Sequence, residues 1–128
     1  MIRERIDAMA VMLEGLVNAP CSDIDALLAS KPTAASVPGV YAISAPGDPN
    51  CILYVGRTKT KTILGRLSDH CRIDTPSDLR GMLTRHLVYP QNPRSYGVRW
   101  CQVDEDVVRA QLELFAIAVL KPPFNRYA

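Results

Sequence analysis

Gly39-Val40-Tyr41-Ala42-Ile43-Ser44, Ala45-Pro46-Gly47-Asp48-Pro49-Asn50 and Cys51-Ile52-Leu53-Tyr54-Val55-Gly56 run on without interruption, and this stretch decides the fold. Its two flanks are rich in β-branched and aromatic side chains, which suit a pleated surface, whereas the middle consists of turn formers. A β-hairpin is therefore predicted, with Tyr41 and Tyr54 central in its two strands. Either tyrosine alone is more often core or sheet surface than catalyst.

Working outward, Thr62 to Ile73 places Ile63, Leu67 and Cys71 at helical spacing. Arg66 and His70 are four residues apart on that helix, hence on one face, one turn from each other. This face is either solvated, carrying Arg66, Asp69 and His70, or functional, with a guanidinium suited to phosphate and an imidazole suited to proton transfer. Pro76-Ser77-Asp78 opens a further predicted helix with Leu79, Met82, Leu83 and Leu87, and Tyr89 to Tyr96 reads as a loop. Gly97 to Val103 is a predicted third strand. Glu105 to Leu120 is a long apolar helix stopped by Lys121-Pro122-Pro123.

Upstream, Ile2, Ile6, Met9, Leu13 and Leu16 recur at steps of four and three, the mark of an amphipathic helix. Ser22 and Asp25 suggest a capped second helix through Leu28, ahead of a Pro/Ala/Ser-rich linker over 31–38. The order α-α-β-β-α-α-β-α implies an α/β (α+β) fold, a small three-stranded antiparallel sheet flanked by helices. Residues 1–36 form its helical extension and 37–128 its main domain.

With 128 residues, 48% of them hydrophobic, and a mean hydropathy of +0.01, the chain can bury one core unaided. A net charge of +2 permits an anionic partner without indicating one. The first seventeen residues are broken by Arg3, Glu4, Arg5, Asp7 and Glu14, so neither a secretory h-region nor a membrane span is present there, and a cytoplasmic protein is expected. Cys21, Cys51, Cys71 and Cys101 lack the paired spacing of a zinc site and are expected to be reduced and mostly buried thiols.

Glu113 stands out because no other ionisable side chain lies between Arg109 and Lys121. An unpartnered carboxylate in so apolar a helix is costly. Two explanations are open: an i,i+4 ion pair with Arg109, or a carboxylate turned into a polar cleft, where it is a proper hard ligand for a divalent cation.

Gly39-Val40-Tyr41 and Tyr54-Val55-Gly56 resemble the two motifs that name the GIY-YIG nuclease superfamily, with valine for isoleucine in each. The likeness continues in order: Arg66 followed one turn later by His70, Glu113 in its apolar helix, and Asn125 behind Pro122-Pro123-Phe124. The resemblance implies a metal-dependent DNA endonuclease in 37–128, with Tyr41, Tyr54, Arg66, His70, Glu113 and Asn125 as its site and Mg²⁺ or Mn²⁺ on Glu113. It also implies Tyr41 as the group that takes the proton from water, and double-stranded or branched DNA as partner. Because a phenol is a poor base at neutral pH, a Tyr41–His70 proton relay aided by nearby cations is expected. Arg57, Lys59 and Lys61 beside the hairpin are the expected DNA contacts, with Arg72, Arg80, Arg85, Arg94, Lys121 and Arg126 further out. A non-catalytic nucleic-acid-binding module and a protein-interaction domain are the competing readings.

Overall fold

A computed structural model describes residues 2–72, Leu83 and residues 89–125. The elements are α1 (Ile2–Val17), β1 (Ser22–Asp23), α2 (Ile24–Ser30), β2 (Gly39–Ala45), β3 (Asp48–Arg57), α3 (Ile63–Cys71), β4 (Gly97–Gln102) and α4 (Asp106–Leu120), with single 3₁₀ turns at Thr33–Ala35 and Pro93–Ser95. The helix expected from Pro76 onward lies outside the described residues apart from Leu83, which is buried. No helix among the described residues is long and apolar enough to cross a membrane.

The predicted hairpin forms, with Ala45 opposite Asp48 around Pro46-Gly47 and Tyr41 opposite Gly56. Its first strand also pairs antiparallel with β4, and the sheet order is β1-β4-β2-β3. Among the described residues the sheet thus has four strands, not three: Ser22 and Asp23 pair with Val98 and Gly97. Ser22, expected to cap the second helix, is used in that bridge, and Asp23 takes the N-cap position without a side-chain bond.

Side chains alternate across the sheet. Tyr41, Ile43 and Tyr54 face Ile24 and Leu27 of α2, Ile63 and Leu67 of α3, and Phe124. Val40, Ala42 and Val55 face Leu13 and Leu16 of α1 and Leu112, Ala116 and Ile117 of α4. With helices on both faces β2 is buried and apolar from Val40 to Ile43, a fully buried Val or Ile side chain contributing about 1.5–3 kcal/mol. The apolar stripe of α1 is only partly covered: Leu13 and Leu16 are buried, while Ile2 is 78% and Ile6 51% exposed. The cysteines are less buried than expected, Cys21 being exposed and the other three partly so.

The motif glycines have a steric reason. A Cβ on Gly56 would lie 2.5 Å from the Tyr41 hydroxyl oxygen, and one on Gly39 would lie 2.1 Å from the Cys101 carbonyl oxygen. The Tyr41 ring crosses the neighbouring strand where that strand has no side chain. Gly56→Ala is accordingly expected to cost about 1–3 kcal/mol in urea denaturation, as overpacking does. A change below about 0.5 kcal/mol would show that the ring has room to move.

Candidate active site

The strand β3 lies at the sheet's edge, and beside it opens a cavity of about 510 Å³ walled by α3, α4, the loop after β3 and the segment around Asn125. Its lining includes Tyr41, Tyr54, Arg57, Lys59, Lys61, Arg66, Asp69, Glu113 and Asn125. Five of the six site residues expected from the sequence meet here. The sixth, His70, sits behind Tyr41.

Tyr41 is fully buried, and its hydroxyl lies 2.7 Å from Nε2 of the equally buried His70. The rings of Tyr41 and Tyr54 approach His70 edge-on, with centroids 5.8 and 5.7 Å away. Burial pushes the Tyr41 phenol well above its ordinary range, and Tyr54 and Glu113 push the same way against the opposing pull of Arg66. Among the protein's own groups the expected help from cations is therefore outweighed, which favours the neutral phenol. The contact runs either way with the imidazole tautomer: the phenol O–H donates to an Nε2 that carries no proton, or its oxygen accepts from an Nε2–H.

On α3, whose N-terminus is capped by Thr62 Oγ1 accepting from the Gly65 N–H at 3.2 Å, Arg66 reaches the cavity. Asp69 lies beneath it, nearly buried, with Oδ2 2.6 Å from Lys61 Nζ and 3.7 Å from Arg66 Nη1. The hydrogen bond from Lys61 holds the Asp69 carboxyl below its usual range against desolvation, and Lys61, Arg66 and Arg72 charges assist. Sequence reasoning missed Asp69, which it placed on a solvated face. The available signal was its i,i+3 spacing from Arg66.

Glu113 projects from α4 into the same cavity, and its Oε1 accepts a hydrogen bond from Arg57 Nε at 3.0 Å. The predicted alternative, an ion pair with Arg109, is overturned. Arg109 is 3% exposed and turned the other way: Nε donates to the Thr58 carbonyl at 3.0 Å, Nη1 to Val103 and Asp104 at 2.8 and 2.9 Å, Nη2 to Lys59 at 3.3 Å. Asp106 also accepts from it. This buried fork fixes the loop that carries Lys59 and Lys61.

Asn125 reads the backbone of β3. Its Oδ1 accepts from the Val55 N–H and its Nδ2 donates to the Val55 carbonyl, both at 2.9 Å, while the Phe124 N–H donates to the Leu53 carbonyl at 2.8 Å. The amide joins the last segment to the strand bearing Tyr54. Of the outer basic residues, Arg94 pairs with Asp25 on α2, and Arg80, Arg85 and Arg126 lie outside the described residues.

No protein-family model matches the chain, and no curated protein matches it. Solved structures do. The chain is similar to the GIY-YIG N-terminal endonuclease domain of UvrC from Thermotoga maritima bound to its catalytic divalent cation, magnesium, with a TM-score of 0.52 and 20% identity over 80% of this chain and 94% of that one. An asparagine-to-alanine mutant of that domain, also cation-bound, gives 0.53 and 18% identity over 81% and 96%. A tyrosine-to-phenylalanine mutant gives 0.51 and 20% over 78% and 96%. The fold is that of the GIY-YIG domain.

Proposed function

We propose that this chain, having the GIY-YIG fold, is a divalent-cation-dependent endonuclease that acts in the cytoplasm on double-stranded or branched DNA, with its chemistry in residues 37–128. The observation that carries the reading is the convergence of Tyr41, Tyr54, Arg66, Glu113 and Asn125, from five separate segments, on one polar cavity beside the Tyr41–His70 hydrogen bond. The magnesium-bound endonuclease domains of like fold add support.

The donor set suits a hard cation. Glu113 offers carboxylate oxygen in a cavity roomy enough for water and phosphate, and no group of three or more His, Cys, Asp or Glu side chains among the described residues could form a closed metal cage. One carboxylate with waters and substrate oxygens is how Mg²⁺ is commonly held. When bound there, Mg²⁺ or Mn²⁺ supplies Lewis-acid neutralisation of the phosphate and the departing oxygen.

The protein's own groups do the rest. A water beside Tyr41 gives its proton to the phenol oxygen as the phenolic proton passes to His70 Nε2, so Tyr41 serves without ever becoming a free phenolate. The resulting hydroxide attacks phosphorus, the bond to the leaving oxygen breaks, and that oxygen takes a proton from solvent. Arg66, steadied by Asp69, balances the charge gathering on the phosphate. Tyr54 orients the phosphate or the water, and Asn125 acts on geometry alone.

Incubation of supercoiled plasmid with Mg²⁺, Mn²⁺ or EDTA tests the reading. Nicking with either ion and none in EDTA is expected. DNA bound in a salt-dependent manner but never cut would instead favour a binding module, and no DNA affinity at all an interaction domain. Tyr41→Phe removes the relay's first oxygen and is expected to slow cleavage about 10²-fold and, by taking a buried partner from His70 Nε2, to cost about 1–3 kcal/mol of stability. Single-turnover rates beside a thermal melt check it.

A further inference from the structure

We propose that Arg57 is an internal competitor for the divalent cation at Glu113, holding the carboxylate until a phosphodiester takes the guanidinium over. The proposal rests on the reading of Glu113 as the cation's ligand. Arg57 and Glu113 are distant in sequence yet joined at 3.0 Å, and both are partly open to the cavity, their side chains 27% and 21% exposed. Among the described lining residues, Arg57, Lys59, Lys61 and Arg66 face only two carboxylates, Asp69 and Glu113. Asp69 is already engaged by Lys61 and Arg66.

A dication approaching Glu113 alone therefore meets a cationic cavity and a guanidinium on its ligand, both of which oppose it. A phosphodiester reverses both effects. It gives Arg57 a planar, bidentate anionic acceptor, the geometry a guanidinium fork matches best, and it brings oxygens that complete a hard cation's shell. Cation and DNA phosphate are thus bound cooperatively, each raising affinity for the other by the same factor. Arg57, expected from the sequence to be a simple groove contact, becomes one only when the cation has replaced it on Glu113.

Mn²⁺ alone is the probe, titrated into the whole chain with the free ion followed by electron paramagnetic resonance. Wild type is compared with Arg57→Met, Arg57→Gln and Glu113→Gln, each checked for folding by circular dichroism. Both Arg57 variants are expected to bind Mn²⁺ about tenfold more tightly than wild type, and Glu113→Gln to lose the site. The second Arg57 variant keeps the test decisive should the first not fold. Arg57 variants binding no tighter than wild type, while Glu113→Gln loses the ion, would overturn the competition and leave Glu113 as the ligand. Retention of Mn²⁺ by Glu113→Gln would overturn the reading beneath it.

Discussion

Glu113→Gln is expected to lower DNA cleavage by at least about 10³-fold in Mg²⁺ or Mn²⁺ while leaving the melting temperature within a few degrees of wild type. The change is nearly isosteric and keeps an acceptor oxygen where Arg57 Nε now donates at 3.0 Å. The side chain belongs to the cavity wall and not to either core cluster, so packing is undisturbed. What is lost is the anionic oxygen, and a neutral amide is a poor ligand for a hard dication. Because the cationic side chains of the cavity remain, DNA affinity in a gel-shift assay run without divalent cation should be kept or improved. Loss of cutting with retained binding is the signature, and undiminished cutting would remove Glu113 from the chemistry.

Arg109→Met is expected to have the largest effect on stability, about 3–5 kcal/mol in urea denaturation. The guanidinium is 3% exposed and serves the carbonyls of Thr58, Lys59, Val103 and Asp104 as well as Asp106. A thioether of similar bulk fills the space but leaves those carbonyls facing an apolar group. The loop after β3 loses its tether to α4, and with it the placement of Lys59 and Lys61 at the cavity. DNA affinity should therefore fall together with stability. A loss under about 1 kcal/mol would mean that water substitutes for the guanidinium.

The hairpin was legible in the sequence because its strands and turn carry opposite local chemistries over consecutive residues. Glu113 was legible because nothing else ionisable shares its stretch of α4. Both signals are local. What escaped depends on how elements meet: β1 is too short to show a period and exists only as a bridge to β4. Asp69 carries only its i,i+3 spacing from Arg66 as a local mark, and a solvated acid shares that mark until α3 is seated on the sheet. Arg66 and His70 do share a face, yet one reaches the cavity while the other lies behind Tyr41. Arg57 and Lys61 read as free groove cations because partners 56 and 8 residues away leave no local mark. Arg109 had an attractive mate one turn along its own helix, and the backbone carbonyls that claim it come from elsewhere in the chain.

The Asn125 amide has a role beyond framing the cavity. An edge strand such as β3 displays N–H and C=O groups that another extended chain could zip onto, the usual seed of aggregation. By taking up both the N–H and the C=O of Val55, with the Phe124 N–H donating to the Leu53 carbonyl, the closing segment mimics a neighbouring strand too short and too irregular to be extended further. The residues that frame the cavity thereby deny the same edge to a foreign β-strand.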